Sequence, residues 1–419
     1  MASLVLKNLN KKYENGTKAV FDCNLSIRDK ELIVIVGPEG CGKTTVLRMI
    51  AGLEDVEEGD IFLGGKSVKD VSPKDRDIAM LSQSNFLNPN LSVYDNLAFG
   101  LKLRKASAEE IDGKVKAVAA LFGLTESLSK KPKSLTASQK QRVMIGRAVA
   151  REPKLFLFDE PLSNLDSKLR MQMRSEIVKL HARIASTFVY ATRDQIEAMT
   201  LGTRLVVMKD GFIQQIDTPQ NLYDYPVNLF VAEYFGLPRM NVFYGATLFS
   251  EEGRVYASFL GGEKILLPNT LVARVKNAEE YIDTGKRLIL GIRPEDIHED
   301  QRFLSASPET VVKVKVDIVE KLGSESRVHA IPLSLEDCPS PDPIVAKVDS
   351  RSALERGEIA ELAFDAKHIY LFDEDERNLL KRDEFYHSVP ENAEGESFVP
   401  LTPNEMISKR QPEKKAKKK

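Results

Sequence analysis

The sequence predicts an α/β domain followed by a smaller all-β domain. Continuous apolar runs, such as 32–36 and 155–158, are separated by longer segments with helical spacing, which is typical of a sheet covered on both faces. Past Gly236, short β-rich runs alternate with turns, as in a small antiparallel barrel. We therefore expect the first domain at residues 1–236 and the second at residues 237–373.

Composition narrows the classes of function. The chain of 419 residues has a net charge of -2, so no overall basic field points to nucleic acid. Its cysteines, Cys23, Cys41 and Cys338, lack the spacing of a metal site or a disulfide framework, which suits a reducing cytosol. No apolar run has the length of a membrane span, so action at a membrane would need a partner. Residues 374–419 are polar without a clear period, and we expect them to be largely disordered.

The chain begins with two predicted strands, at residues 3–8 and 20–28, around a turn at residues 14–16. Tyr13 lies just before this turn. Its ring could stack on an adenine base, or it could be an exposed tyrosine at the end of a strand. The pattern alone leaves both interpretations open.

The segment 32–45, LIVIVGPEGCGKTT, predicts a buried strand that runs into a glycine-rich loop before a helix. Gly37, Gly42, Lys43 and Thr44 match the pattern G-x-x-x-x-G-K-[ST]. In such loops, backbone N–H groups and the helix N-terminus cradle phosphates, while the lysine reaches the β- and γ-phosphates and the hydroxyl binds Mg²⁺. We therefore expect ATP and Mg²⁺ to bind here. The other loop residues expected to contact ATP are Pro38, Glu39, Gly40, Cys41 and Thr45.

Two short strands are predicted after the helix of this loop, at residues 59–65 and 78–83. Gln83 ends the second of them. A glutamine at this position could complete a Mg²⁺ coordination shell or orient water. Taken alone, it could equally be a polar residue that faces solvent.

The pattern turns helical over residues 86–152, which predicts a helical subdomain between two strands. Apolar positions at three-to-four spacing predict one helix over 108–124, with Gly123 as its stop. A second helix is expected over 141–152, after the segment SLTASQKQ.

The strand KLFLFDE ends in two carboxylates, Asp159 and Glu160, before Pro161. Acidic side chains at the carboxyl end of a strand buried on both faces lie at the ligand edge of an open α/β sheet. Asp159 suits a Mg²⁺ role, and Glu160 could polarise a water for in-line attack on the γ-phosphate. The alternative is an ordinary strand end that meets a turn.

The remaining elements of the first domain follow the same alternation. Residues 163–184 predict a turn and a long helix, with Asp166 as an acid near the helix start. Residues 186–194 predict another strand, which ends at Arg193. A hairpin over residues 204–217 and two short helices are expected before the β-rich part.

The order of these motifs resembles that of the ATP-binding subunits of ABC transporters. Longer segments are similar to the maltose and multiple-sugar importer branch, and the resemblance covers about residues 3–373. These segments are LSVYDNLAFGLKLR, DEPLSNLDSKLR, DQIEAMTL, LYDYPVNLFVAEYFG, GIRPEDI and LAFDAKHIYLFD.

This resemblance implies a RecA-like P-loop domain with a helical subdomain, followed by an all-β, OB-like regulatory domain. Two copies, or this chain and a second ATP-binding subunit, would associate head to tail, each ATP lying between one phosphate loop and the other copy's signature helix. By resemblance, Tyr13 stacks on adenine, Gln83 senses Mg²⁺ and couples to the membrane subunit, Glu160 is the catalytic base, and Asp166 lies at the dimer interface.

The resemblance also implies partners and a location. Transmembrane permease subunits would bind the chain at the cytoplasmic face of the cell membrane, and an extracellular solute-binding protein would act through them. A regulatory protein could dock on the domain that carries residues 291–297. Soluble ABC proteins of translation or DNA repair are disfavoured, because they usually carry two cassettes or a coiled-coil insertion.

Two parts of the sequence depart from the family pattern, the signature and the switch position. The family signature LSGGQ is LTASQ here, with Thr136, Ala137, Ser138 and Gln139, so two Cβ atoms stand where glycine backbone approaches the opposite γ-phosphate. Arg193 replaces the family's switch histidine. Arginine could hold the γ-phosphate, or its permanent charge could pair with the catalytic glutamate. The sequence thus supports two hypotheses: an energy-coupling ATPase, or a hydrolysis-poor subunit beside a competent paralogue.

Overall fold

The computed structural model of the chain describes residues 3–82, 87–184, 186–335, 342–383 and 403–410. They form two compact units, the first up to Pro219 and the second from Gln220 onward. The first is mixed α/β and the second is mainly β, so the predicted fold class is confirmed.

The first unit contains a mixed sheet of six strands and a smaller antiparallel sheet of four. Its strands are β1 (Leu4–Lys12), β2 (Lys18–Ile27), β3 (Leu32–Val36), β4 (Glu58–Leu63), β5 (Lys66–Ser67), β6 (Ile78–Ser82), β7 (Leu155–Asp159), β8 (Thr187–Thr192), β9 (Arg204–Lys209) and β10 (Phe212–Asp217). Its helices are α1 (Lys43–Ala51), α2 (Val93–Leu103), α3 (Ala108–Leu121), α4 (Ala137–Val149), α5 (Ser167–Ile184) and α6 (Gln195–Leu201).

The large sheet has the order β10-β9-β3-β8-β7-β6. Strand β3 is parallel to β8 and β9, and β7 is parallel to β8 and β6. Every residue of β3, β7 and β8 is buried, which explains why their sequences are almost continuously apolar. Because these strands run in one direction, the residues after Val36, Asp159 and Thr192 meet at one edge of the sheet.

The second unit consists of two five-stranded sheets, with the orders β13-β12-β11-β14-β20 and β15-β19-β16-β17-β18, around one apolar core. Its strands are β11 (Asn241–Glu251), β12 (Arg254–Phe259), β13 (Glu263–Leu267), β14 (Leu288–Ile292), β15 (Ile297–His298), β16 (Val311–Lys321), β17 (Glu325–Pro332), β18 (Ile344–Asp349), β19 (Ile359–Phe364) and β20 (Tyr370–Phe372). Its helices are α7 (Pro219–Asp224), α8 (Leu229–Tyr234), α9 (Asn269–Val272), α10 (Gln301–Ala306) and α11 (Pro403–Arg410).

Both limits of the second unit differ from the expected boundaries. The division falls after Pro219 rather than after Gly236, because Leu229 and Ala232 of α8 pack in a cluster with residues of the β-rich part. The expected disordered tail from residue 374 is wrong for its first ten residues. Leu379 and Leu380 are buried in the core of the second unit, and burial of two large apolar side chains holds this segment against the sheets.

No helix among the described residues is both long enough and apolar enough to cross a bilayer.

Candidate nucleotide-binding site

The phosphate loop joins β3 to α1 and lies directly against neighbouring backbone. A Cβ atom on Gly37 would be 2.1 Å from the carbonyl oxygen of Met208. Gly42 has a φ of 105°, and a Cβ atom there would be 2.5 Å from the carbonyl oxygen of Ala19. Both positions therefore require glycine. Gly37 has no space for a side chain, and Gly42 has neither the space nor a backbone conformation that other residues readily adopt.

Lys43 is buried at the start of α1, and its ammonium group lies over the loop. The Nζ atom donates to the carbonyl oxygens of Gly37 at 2.9 Å and Pro38 at 2.8 Å. The same atom is 3.8 Å from Oε1 of Glu160. The loop thus holds a cation at the N-terminal end of a helix, where phosphate oxygens are bound favourably.

The Thr44 hydroxyl donates to Oδ1 of Asp159 at 2.9 Å. Burial raises the pKa of Asp159, while the Thr44 hydrogen bond and the charge of Lys43 act in the opposite direction. Hydroxyl and carboxylate oxygens are ligands that Mg²⁺ prefers, and Mg²⁺ usually completes its shell with substrate phosphates and water. These two oxygen donors therefore have the chemistry to hold Mg²⁺ together with the phosphates of ATP.

Glu160 follows β7 with a φ of 45°, in the left-handed region. Its N–H donates to the carbonyl oxygen of Ala191 at 3.0 Å, and its own carbonyl oxygen accepts from the Ser163 hydroxyl at 2.8 Å. These two bonds fix a conformation that is unusual for a glutamate. As a result the carboxylate points toward Lys43 and not along the strand.

Arg193, directly after β8, lies between two carboxylates. Its Nη1 atom donates to Oε2 of Glu39 at 3.2 Å, and its Nε atom is 3.8 Å from Oε2 of Glu160. Of the two possibilities raised for this arginine, the structure contains the pairing with Glu160. No local pattern indicated that Glu39 of the phosphate loop would be its second partner.

Tyr13 lies beside the end of the loop, and Cys41 lies within the loop. The Tyr13 hydroxyl is 3.0 Å from Oγ1 of Thr45, which brings this ring beside the start of α1. Burial raises the pKa of the Cys41 thiol, against the opposing charge of Lys43, so the thiol is the prevailing form.

The signature residues form the start of α4. Thr136 caps this helix, since its hydroxyl accepts from the Gln139 N–H at 3.2 Å while the Gln139 side chain accepts from the Thr136 N–H at 3.1 Å. Ala137 and Ser138 begin the first turn. The helix start expected at residue 141 is therefore wrong, because this capping box lets the helix begin earlier in the sequence, at Ala137.

Two further candidate residues stand apart from the loop. Asp166 accepts from the Leu169 N–H at 2.9 Å and so caps α5. Gln83 lies outside the described residues, and its role stays a prediction.

Sequence reasoning missed Arg170 and Glu197, which contact the segment around Arg193. Arg170 donates to Asp194 at 3.2 Å, and Glu197 accepts from the Thr192 hydroxyl at 2.8 Å. The only local signal was the spacing of Asp194 and Glu197, three residues apart at a helix start.

A cleft of about 870 Å³ opens beside β6, between this strand and helices α2 and α4. Phe99 and Leu103 line it and are 46% and 70% exposed, which is unusual for large apolar side chains. Arg104, Arg147 and Arg151 also line it. The cleft therefore combines an apolar surface with positive charge.

Comparison with known proteins agrees with this geometry. Residues 20–163 match the ABC transporter family, and residues 290–372 match the TOBE domain family. The chain is 46% identical over 373 residues to the oligosaccharides import ATP-binding protein MsmX of Bacillus subtilis, covering 89% of this chain and 98% of that protein. It is 44% identical over the same length to the osmoprotective compounds uptake ATP-binding protein GgtA of Synechocystis, with the same coverage.

The resemblance to this branch, noted from the sequence motifs, is thus confirmed over nearly the whole length of the relatives. The phosphate loop, the carboxylates after β7 and the signature helix all fall in regions that the relatives share. This chain belongs to the ATP-binding proteins of ABC transporters.

Proposed function

We propose that this chain is the energy-coupling subunit of a bacterial ABC importer for sugars or related solutes, binding and hydrolysing MgATP at a head-to-tail dimer interface. The observation that carries this proposal is the 2.9 Å hydrogen bond from Thr44 to Asp159, with Lys43 and Glu160 directly beside it. The solute class is supported by the names of relatives that take up oligosaccharides and osmoprotective compounds.

Nucleotide binding follows from the loop. Backbone N–H groups of residues 37–45 and the ammonium of Lys43 would bind the phosphates, and Tyr13 would stack on the adenine. Thr44 and Asp159, with Gln83, would hold Mg²⁺, which when bound neutralises phosphate charge. The glycine requirement at Gly37 keeps the loop packed against the backbone of Met208, which fixes where its N–H groups lie.

Hydrolysis would depend on Glu160. Its side chain is only 21% exposed, and its backbone is held at the sheet edge by the bonds to Ala191 and Ser163. From there it would accept a proton from an attacking water, while Lys43 would stabilise the negative charge of the phosphates.

A second ATP-binding chain would complete the site. The hydrogen bonds of Thr136 and Gln139 satisfy the start of α4 itself and none of them reaches the chain's own phosphate loop. This supports a signature that serves the nucleotide of another copy, with Ala137 and Ser138 facing it and Asp166 at the interface. Either a homodimer or a pair with a related subunit satisfies this requirement.

The permease subunits would dock in the cleft beside β6, the strand that precedes Gln83 in the sequence, at the cytoplasmic face of the membrane. An amphipathic segment with an acidic residue matches its exposed Phe99 and Leu103 and its arginines. An extracellular solute-binding protein would act through that permease. A regulatory protein could bind the second unit.

A hydrolysis-poor subunit is the second candidate, and the contact between Arg193 and Glu160 favours it. A permanently charged guanidinium beside the proposed base competes with the water that this base would polarise. The Cβ atoms of Ala137 and Ser138 in the signature would slow hydrolysis further. In this case the chain would bind ATP beside a competent paralogue and turn it over slowly.

The test uses the purified chain alone and assembled with its permease, beside a Thr44→Ala variant. We expect Mg²⁺-dependent ATP binding that Thr44→Ala weakens, and phosphate release that increases in the assembled complex. ATP binding without phosphate release in the complex would favour the hydrolysis-poor candidate. Absence of Mg²⁺-dependent binding would overturn both.

A further inference from the structure

The residues on both sides of Arg193 belong to a closed set of hydrogen bonds. Glu197 of α6 is 2% exposed, and its Oε2 atom accepts from the Tyr190 hydroxyl at 2.9 Å and the Thr192 hydroxyl at 2.8 Å. The Thr192 hydroxyl in turn accepts from the Asp194 N–H at 3.0 Å, and Asp194 accepts from the Glu197 N–H at 2.9 Å. These hydrogen bonds therefore fix the backbone on both sides of Arg193.

Arg170 of α5 joins this set to a second segment. Its Nη1 atom is 3.2 Å from Oδ2 of Asp194, and its Nε atom is 3.8 Å from Oε1 of Glu197. Its Nη2 atom donates to the carbonyl oxygen of Leu165 at 3.1 Å. Leu165 precedes Asp166, so one guanidinium links the turn before α5 to the segment that carries Arg193.

The charge balance depends on the same side chain. Burial raises the pKa of Glu197, hydrogen bonds from Thr192 and Tyr190 lower it, Asp194 raises it and Arg170 lowers it. Two carboxylates lie together with Arg170 as the cation that bridges them. The other cation near this group is Arg174, whose charge acts on Tyr190.

We infer that Arg170 is a positioning residue for ATP hydrolysis, which holds the turn at residues 163–166 and the switch segment at residues 192–197 in one arrangement around Glu160. The inference rests on the proposed hydrolytic function. A polar cavity of about 270 Å³ lies between these groups, lined by Glu160, Ser163, Arg170 and Arg193 among others. This space leaves room for either segment to shift once the guanidinium is removed.

The experiment compares Arg170→Gln with Arg183→Gln, an exposed arginine near the end of the same helix, in the full chain. In Arg170→Gln, hydrogen exchange at residues 163–166 and 192–197 should rise by about tenfold or more, as for loss of a charge-assisted hydrogen bond. Affinity for a non-hydrolysable ATP analogue should be unchanged. In the assembled complex, kcat should fall by roughly 10- to 100-fold with little change in KM, as for a misplaced catalytic group.

The pH dependence of kcat distinguishes a positioning role of Arg170 from a general loss of rigidity in the two segments. Without Arg170, Glu197 loses a cation that lowers its pKa while Asp194 still raises it, so the acid limb of the kcat profile should move to higher pH. Arg170→Lys keeps the positive charge but cannot contact Asp194, Glu197 and the Leu165 carbonyl oxygen at the same time. It should return the acid limb toward wild type while exchange at residues 163–166 stays raised.

Arg183→Gln should match wild type in every measurement. Raised exchange in only one of the two segments would overturn the inference, as would an unchanged kcat when both segments are loosened. If wild-type complex releases no phosphate, the proposed hydrolysis fails. The exchange measurement then still decides whether Arg170 links the two segments.

Discussion

Arg193 and Glu160 face each other at the carboxyl edge of the parallel sheet, with Nε of the arginine 3.8 Å from Oε2 of the glutamate. The other oxygen of this carboxylate is 3.8 Å from Nζ of Lys43. Both oxygens of the proposed base therefore have a cation nearby. Turnover requires that one of them becomes available to water.

The first prediction replaces Arg193. In Arg193→His, with Thr136→Ser, Ala137→Gly and Ser138→Gly restoring the family signature, phosphate release by the complex should rise by about 10-fold or more, because a transition-state donor replaces a competing cation. Arg193→Gln on the same signature background is the control, since it removes the charge without supplying an imidazole. An equal rate for all three proteins would contradict the prediction.

The second prediction concerns the contact from Arg193 to Glu39, whose side chains are 55% and 86% exposed. Glu39→Gln should raise ATP affinity by about two- to fivefold, the range of an exposed ion pair, because one carboxylate fewer then competes with a γ-phosphate for Arg193. ADP lacks that phosphate, so its affinity should change less. In an Arg193→Gln background, calorimetric titration should find that Glu39→Gln raises ATP affinity by less. An equal rise in affinity would argue against the contact between Arg193 and Glu39.

The third prediction follows from the raised pKa of Asp159. A carboxyl whose pKa is higher in the folded chain stabilises the fold below its unfolded pKa, and that contribution is lost as pH rises through the folded pKa. The ionised group thus destabilises the fold at neutral pH. Asp159→Asn should therefore raise the Tm by a few degrees at pH 7, with the difference from wild type shrinking as the pH falls toward about 3, where Asp is largely protonated in both states.

Differential scanning calorimetry of both proteins across this range checks the third prediction. Mg²⁺-dependent ATP binding should be lost in the same variant, because Asn cannot replace an anionic ligand. A Tm gain that did not depend on pH would point to packing and not to ionisation.

The fourth prediction concerns Gly37. In Gly37→Ala the new methyl group would lie 2.1 Å from the Met208 carbonyl oxygen, so the loop must move and nucleotide affinity should fall at least about tenfold. Gly113→Ala is the matched control, because nothing lies within 4 Å of a Cβ atom there and the residue sits in α3. That variant should gain up to about 1 kcal/mol of stability from helix propensity. Equal ATP affinity in both variants would be inconsistent with the packing of the loop.

Local patterns were sufficient for the elements that form the site. The apolar residues before Gly37 and before Asp159 predicted buried strands, and the glycine-rich loop predicted its helix. These signals lie within a few residues of the structure they specify. The start of α4 was missed because its apolar positions begin only after the capping box that Thr136 makes.

Long-range contacts could not be read from the sequence. Glu39 and Arg193 are 154 residues apart, and no local pattern relates a loop glutamate to an arginine after a later strand. The contacts of Arg170 with Asp194 and Glu197 depend in the same way on how α5 packs beside α6. Burial of Leu379 and Leu380 was hidden by the many charged residues around them.

The capping box of α4 has a consequence for the altered signature. A hydroxyl has one proton to give and two lone pairs to fill, and at Thr136 the cap uses only a lone pair. The proton remains available for an oxygen outside the chain, and the backbone N–H groups at Ala137 and Ser138 have no acceptor within the helix. The signature thus retains every donor that an anion would need, and its substitutions add side-chain atoms, a methyl group at Thr136 and at Ala137 and a hydroxymethyl group at Ser138. Removing the side chains at Ala137 and Ser138, rather than supplying new polar groups, is what repair of this segment would require.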